Sequence, residues 1–365
     1  MALSSARLIS EASTQAEHSS KSEREWSGKG VRPWRLTKIS EPRPKFAGKR
    51  VSAVRSNRQY GFMRAAMEFF IADTLKKGVP GLREEFAKLQ TEMRAKKNDT
   101  TTSNIHSSLN RYGDIECLEK TRIVLATHPG GRDYIHANTV SSPFGSDRFI
   151  CTQGPLPDTI YDFWVMVFEK KAMSIVQLCK FLEMGANKCA VYYPSGQGDV
   201  ATYGDITVKC CSAKLLGTPG RVVQRIFSVF RGDVGKDVYH VSVENWPDHG
   251  VPEADATILQ VLQKVRVSTN FPIVVHCSAG IGRTGTIVAV EIILESIILG
   301  KHVTIESVVS RIREERLAAV QKDSQYLFIA RLVLEYFLRV GQLSRSPQIE
   351  AFFADYTKAP GVQAS

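Results

Sequence analysis

Long apolar runs are missing from this 365-residue chain. The most apolar stretch, Thr286 to Leu299, carries Glu291 and Glu295 and is shorter than the roughly 18 residues a membrane span needs. No opening segment joins a basic head to an apolar core and a small-residue cleavage site, which argues against secretion. The cysteines at 117, 151, 179, 189, 210, 211 and 277 form an odd set without a CxxC pair, so neither a disulfide framework nor a zinc cage is indicated. Their bland reading is small buried apolar residues in a reducing compartment, with Cys210 and Cys211 pointing opposite ways if they share a strand. Charge of one sign is also lacking in the body, where residues 101–365 hold 27 Lys/Arg against 26 Asp/Glu. No internal repeat is present. Together these absences predict a soluble cytoplasmic protein.

The apolar share of 43% excludes whole-chain disorder. The net charge of +11 is concentrated at the front, where residues 1–60 hold 13 Lys/Arg against 5 Asp/Glu and eleven serines. Such a segment cannot bury enough apolar surface to offset its ordering entropy, so residues 1–60 are expected to be a disordered basic arm. Its functional reading is a patch for acidic surfaces, nucleic acid or nuclear import, with Trp26 and Trp34 as stacking groups; the commoner reading is a solvated tail.

From residue 61 helical spacing begins. Phe62, Ala66, Phe69 and Ala72 fall on one predicted face, and Leu82, Phe86, Leu89 and Met93 on another. Residues 98–118 are polar and loop-like. Short β-branched runs follow at Arg122–Ala126, Tyr134–Val140, Ile175–Cys179, Ala190–Tyr193, Ile206–Cys210, Val222–Phe230 and Val238–Val243, interrupted by a helical Thr159–Lys171. Beyond residue 253 the pattern predicts a helix, a strand over Pro272–His276 and three helices to about residue 340, with 341–365 a short tail. Strands in the middle with helices at both ends predict an α/β or α+β domain around one sheet.

The segment Pro272-Ile-Val-Val-His276-Cys277-Ser-Ala-Gly-Ile-Gly-Arg283-Thr284-Gly285 carries an apolar strand into a glycine-rich turn and then an amphipathic helix. Gly280-Ile-Gly282-Arg-Thr-Gly285 formally matches the dinucleotide fingerprint GxGxxG. That motif should lead to a second strand bearing an acid about 20 residues on, whereas residues 303–316 look helical with Glu306 inside. The alternative is a Cys and an Arg six positions apart across small residues. A loop of that size closing on a helix N-terminus aims several backbone N–H groups at one point, making a cradle for a phosphate-sized anion and a stabilising environment for a Cys277 thiolate. Arg283 can grip two phosphate oxygens with its planar fork. A nucleophile inside a phosphate cradle points to covalent phosphoryl transfer rather than an inert core thiol.

His276-Cys-Ser-Ala-Gly-Ile-Gly-Arg-Thr-Gly285 resembles the signature loop of the protein tyrosine phosphatases, of the tyrosine-specific, non-receptor type. The likeness extends from about residue 80 to 340, which implies a single catalytic domain there, preceded by a helical lead-in over 61–79. It implies an α+β fold with a central mixed, highly twisted sheet flanked by helices. Trp246-Pro247-Asp248-His249-Gly250 is similar to the family's mobile lid, with Asp248 as general acid and Trp246 near a hinge. An acid is needed because a phenolate with a pKa near 10 leaves slowly unless protonated. Asn110-Arg111-Tyr112-Gly113-Asp114 resembles the phosphotyrosine-recognition loop, with Tyr112 walling a deep pocket and Asp114 accepting peptide N–H groups; Gly113 stands where a side chain is common. The resemblance makes Glu183 the partner of Arg283, gives Lys188 a contact with the closed lid, and has Gln321 and Gln325 order the hydrolytic water. It places the backbone of Ser278, Ala279, Gly280, Ile281 and Gly282 around the phosphate, with His276 in support. Thr284 would donate to Cys277. Lys322 replaces a small residue, and His136, within Asp133-Tyr-Ile-His-Ala-Asn138, replaces a common Asn and is given no catalytic role.

The implied reaction is hydrolysis of phosphotyrosine in proteins through a cysteinyl-phosphate, by a monomer with no metal or cofactor and with phosphotyrosine proteins as partners. Rival readings are a phosphotyrosine-binding module without turnover, a phosphatase of phosphoserine, phosphothreonine or phosphoinositides, and a nicotinamide oxidoreductase. No specific nucleic-acid or membrane partner is indicated.

Overall fold

Ile273, Val274, Val275 and His276 are apolar or aromatic with no polar alternation, the pattern of a strand covered on both faces. In the computed structural model all four are buried in the middle of a nine-stranded sheet. The structure describes residues 53–216, 222–244, 246, 251–252, 258, 261 and 271–362. These belong to one compact unit, Arg50–Ser365. Residues 1–52 of the expected arm, the helix expected just beyond residue 253 except for the buried Ile258 and Val261, and Asp248 with Pro247, His249 and Gly250 lie outside the described residues.

Across the sheet the strands run β1 (Arg122–Val124), β2 (Tyr134–Ser142), β3 (Gly145–Thr152), β11 (Ile273–His276), β4 (Ser174–Gln177), β10 (Val234–Val243), β9 (Val222–Arg231), β8 (Ile206–Leu216) and β7 (Val200–Tyr203). The central four, β3-β11-β4-β10, pair in parallel, and every pairing outside them is antiparallel. A separate hairpin joins β5 (Leu182–Glu183) to β6 (Ala186–Asn187). The described helices are α1 (Ala53–Ala95), α2 (Thr101–Ile105), α3 (Ile160–Glu169), α4 (Gly282–Ile298), α5 (Ile305–Glu315), α6 (Asp323–Arg339) and α7 (Pro347–Lys358). The mixed twisted sheet with flanking helices is the architecture expected from the resemblance. Because α4 leads into the helix α5, the second strand that a dinucleotide unit requires is not there.

Several local readings need correction. The helix expected from residue 61 begins at Ala53 and is broken at Gly78 (φ 58, ψ −172), two residues before Pro80, whose ring brings no N–H to the ladder. Its first buried stripe is Ala66, Met67, Phe70 and Thr74, whereas Phe62, Phe69 and Ala72 face outward. The predicted stripe was thus rotated, and Phe69 instead stacks on His302. The second stripe holds, with Leu82, Phe86 and Leu89 buried and Met93 half-buried. Residues 98–118 include the short helix α2. Ala190–Tyr193 is irregular rather than a strand, and its aromatic rings Tyr192 and Tyr193 fill core around Phe227 and His240. Residues 347–358 of the supposed tail form α7, which starts on a Ser346 cap and buries Ile349, Phe352, Phe353 and Tyr356 against the domain. Cys210 is buried and Cys211 exposed, as neighbours in a strand should be.

Candidate active site

Chain leaving the carboxyl end of β11 must turn at once to enter α4, and Cys277 sits in that turn. Gly280 makes the turn feasible: its φ is +71°, and a Cβ there would lie 2.1 Å from Thr152 O of the adjoining strand. With that backbone pressed on β3, the Gly280 N–H donates to Cys277 Sγ at 3.2 Å. The loop is held from both sides. Gly154 N–H donates to Ser278 O at 2.9 Å, and Ile281 O accepts from Gly285 N and Val320 N at 2.9 and 3.0 Å.

Cys277 forms the floor of a cleft of about 240 Å³ and is only 5% exposed. Arg283, in the first turn of α4, stands beside it. Its Nη1 and Nη2 donate to Glu183 Oε1 and Oε2, each at 2.8 Å, and Nη1 also reaches Leu178 O at 2.8 Å. Burial alone would favour the neutral guanidine, but the bidentate bond and charge of Glu183 outweigh it, so Arg283 lies above its ordinary value and stays cationic. Glu183 is fixed in turn at the β5–β6 hairpin, where Lys180 N–H donates to its Oε1 at 2.9 Å. Glu183 and Arg283 thus meet as a bidentate ion pair.

Tyr112, Asp114, Lys188, Gln321 and Gln325 line the walls of the same cleft, and Ser278, Ala279 and Gly282 complete its floor. Ser278 Oγ donates to Lys188 O at 2.9 Å, which leaves it to accept the Tyr112 hydroxyl at 2.8 Å. This chain of bonds sets the wall tyrosine directly over the loop. Gln325 Oε1 accepts from the backbone of Gln321 and Lys322, and both glutamine side chains come against Gly282. Ile281 is wholly buried and contributes through its backbone. At Gly113 a Cβ would meet nothing within 4 Å, so the missing side chain is a lost contact rather than a steric demand. Trp246 is buried edge-on to Phe328. Thr284 Oγ1 is buried but has no hydrogen-bond partner among the described residues, so the expected bond to Cys277 is not formed here.

His276 has no exposed surface, and burial pushes it down to about 4. Its Nε2 lies 2.8 Å from the Tyr192 hydroxyl, which lies 3.0 Å from Nε2 of the equally buried His240. A neutral imidazole thus underlies the cysteine.

Two arginines were missed as site residues. Arg111 donates to three carbonyls, Gly154 O at 3.1 Å, Asn187 O at 3.1 Å and Pro155 O at 2.6 Å, and so anchors the Tyr112 loop to both the sheet and the β6 hairpin. Arg316 is completely buried and donates to Ala279 O at 3.0 Å and Gly280 O at 3.1 Å from behind the loop. Arg111 lies inside the recognition motif, which was a usable signal. Arg316 lies in the charged run Arg311-Ile-Arg-Glu-Glu-Arg316, which reads as a solvated face. A slightly larger cleft of about 280 Å³ between α1 and α5 holds neither Cys277 nor Arg283. Among the described residues no group of three or more His, Cys, Asp or Glu could hold a metal ion, and no helix is long and apolar enough to cross a membrane.

A sequence profile of the family described as protein-tyrosine phosphatase matches residues 106–335. Human receptor-type tyrosine-protein phosphatase C is 36% identical over 234 residues, covering 62% of this chain but only 18% of that protein. Human tyrosine-protein phosphatase non-receptor type 9 is 31% identical over 289 residues, 74% of this chain and 49% of that protein. The chain thus corresponds to less than half the length of either relative. Among solved structures, the catalytic domain of human protein tyrosine phosphatase non-receptor type 18 superposes with a TM-score of 0.66 at 29% identity, covering 70% of this chain and 96% of that one. The same phosphatase in complex with HER2 phosphopeptides gives a TM-score of 0.69 at 28% identity, covering 74% and 99%.

Proposed function

Since the chain belongs to the protein-tyrosine phosphatase family, we propose that it hydrolyses phosphotyrosine in proteins through a covalent cysteinyl-phosphate. The observation that carries this reading is the Gly280 N–H aimed at Cys277 Sγ in the loop that ends on the clamped Arg283. Cys277 sulfur attacks phosphorus in line. The bond from phosphorus to the tyrosyl oxygen breaks, and Asp248 gives its proton to that oxygen. Arg283 and the amides of residues 278–282 hold the three equatorial oxygens, so the step relies on positioning and charge stabilisation. A water ordered by Gln321 and Gln325 then gives a proton to Asp248 and attacks phosphorus. The S–P bond breaks with its electron pair returning to sulfur, and inorganic phosphate leaves.

The burial of Cys277 favours tyrosine over serine, because a phosphoseryl group is too short to reach the cleft floor from a peptide at the rim set by Tyr112 and Asp114. Protein tyrosine phosphatase non-receptor type 18 has been solved in complex with HER2 phosphopeptides, and phosphotyrosine peptides are the substrate class proposed for this chain. In this reading catalysis belongs to residues 80–340 of a monomer, with the helix from Ala53 leading in and residues 1–52 serving as an arm for acidic surfaces or nuclear entry. The test compares matched phosphotyrosine and phosphoserine peptides. The expected result is turnover of the first at least ~100-fold faster, abolished by Cys277→Ser. Equal rates on the two peptides, or phosphate release that survives Cys277→Ser, would refute the proposal.

A further inference from the structure

His136 is the third residue of β2, is 2% exposed and lies behind the cleft rather than in it. Its Nε2 is 2.9 Å from Ile115 O, the residue after Asp114 in the recognition loop. A carbonyl can only accept, so Nε2 carries the proton and Nδ1 is left with a lone pair. That lone pair faces Arg316 Nη2 at 3.1 Å. The rest of the Arg316 fork is used on Asn138 Oδ1 at 2.8 Å and on the Ala279 and Gly280 carbonyls.

Holding those carbonyls has a directional effect. The C=O and N–H of a trans peptide point to opposite sides. With Ala279 O drawn back to Arg316, the Gly280 N–H must point forward, where it meets Cys277 Sγ. With Gly280 O drawn back in the same way, the Ile281 N–H is turned toward the cradle. Arg316 therefore aims two of the amides that would receive phosphate oxygens, and its own plane is fixed on one side by Asn138 and on the other by His136.

We propose that His136 is a positioning residue of the phosphatase reaction described above, joining the recognition loop at Ile115 to the aim of the phosphate-cradle amides through Arg316. One imidazole ties the wall that reads the substrate to the floor that reacts with it. Burial and, after it, the Arg316 charge push His136 down to about 3, so the donor and acceptor ends keep their identities through the neutral range. The inference rests on the proposed phosphatase reading.

The test separates the two ends of the imidazole. Asn at this position retains an acceptor where Nδ1 lies and loses the reach to Ile115. Gln extends to the Nε2 position and loses the Arg316 acceptor, and Leu loses both. For His136→Leu the expected result is kcat for p-nitrophenyl phosphate about 10-fold lower and vanadate binding weakened about 10-fold. His136→Asn should recover most of that kcat while KM for a phosphotyrosine peptide stays raised about 3-fold or more. His136→Gln should show the opposite split. If His136→Leu does not fold, the Asn and Gln pair decides the matter. A fall in melting temperature with kcat, peptide KM and vanadate affinity all within 2-fold of the parent would overturn the inference, as would Asn and Gln variants that behave alike. Vanadate binding is read by calorimetry and needs no turnover. An inactive parent would therefore sink the phosphatase reading, while unchanged vanadate affinity across the variants would sink the role of His136.

Discussion

Removing the Glu183 carboxylate tests the site at its most clearly built contact. Glu183→Gln keeps the shape and one acceptor but deletes the charge; Glu183→Ala deletes both bonds. The two groups are nearly dry, with side-chain exposures of 5% for Arg283 and 9% for Glu183. Breaking a buried pair by removing one partner costs roughly 3–5 kcal/mol, because the other charge is left uncompensated. Arg283 retains Leu178 O, so the lower end applies, about 3 kcal/mol for Ala. For a domain of this size each kcal/mol corresponds to roughly 2 °C, giving a fall in melting temperature of about 6 °C. The fork would also lose the two bonds that fix its plane, and misplacement of a clamp by about 1 Å costs about 100-fold in rate. The expected outcome for Ala is therefore a kcat/KM about 100-fold below the parent on p-nitrophenyl phosphate, with Gln in between, read by steady-state kinetics beside thermal melts. A variant that loses the stability but keeps the rate would show that Glu183 holds the fold together and does not orient Arg283.

Other outcomes follow from the same geometry. Gly280→Ala should abolish turnover and vanadate binding together, because its Cβ would meet the Thr152 carbonyl, which is backbone and cannot rotate away; kinetics together with calorimetry check this, and an active variant would mean that the loop can relax. The buried imidazoles also make stability depend on pH. His136 and His276 lie at about 3 and 4 in the folded protein, against 6.5 when unfolded, so below pH 6.5 the unfolded chain binds more protons. Their contribution is present in full above pH 6.5 and is lost as the pH falls toward 4. Each should withdraw about 1.4 kcal/mol by pH 5.5 relative to pH 7.5, together about 3 kcal/mol. Urea unfolding at the two pH values reads this directly, and equal midpoints would contradict it.

The candidate site was largely legible in the sequence, because the end of a strand, a glycine-rich turn, Cys277 and Arg283 fall within the single run from His276 to Gly285. The contacts made at long range were not. Glu183 and Arg283 are 100 residues apart, and only the family likeness suggested that they meet. Arg316 was hidden for a related reason: a charged helix end normally faces water, and nothing local reveals that carbonyls of a turn 36 residues earlier will use its fork. Strand β3 was overlooked because its first residues, Gly145-Ser-Asp, are exposed and polar, while only Arg148 to Thr152 are covered. Ala190–Tyr193 misled in the opposite sense, since buried aromatic residues look the same in sequence whether or not their backbone joins a ladder. The first stripe of α1 was misplaced by rotation because several apolar residues, Phe62 and Phe69 among them, lie on its outer side.

The hydroxyl shared by the two buried histidines fixes the direction of every hydrogen in its neighbourhood. Tyr192 has one proton to give and sits 2.8 and 3.0 Å from two imidazole nitrogens, with Gln177 Oε1 farther off at 3.5 Å. His276 Nδ1 lies 3.2 Å from Cys277 O, an atom that only accepts, so the hydrogen of His276 belongs on Nδ1 and its Nε2 must take the tyrosine's. His240 must then donate through Nε2, which leaves its Nδ1 as a bare lone pair, and that is the buried nitrogen with no described partner. That unmatched nitrogen is thus the starting end of a one-way relay that finishes at the carbonyl of Cys277. Neutron density or nitrogen-15 shifts would display it as two histidines in opposite tautomers.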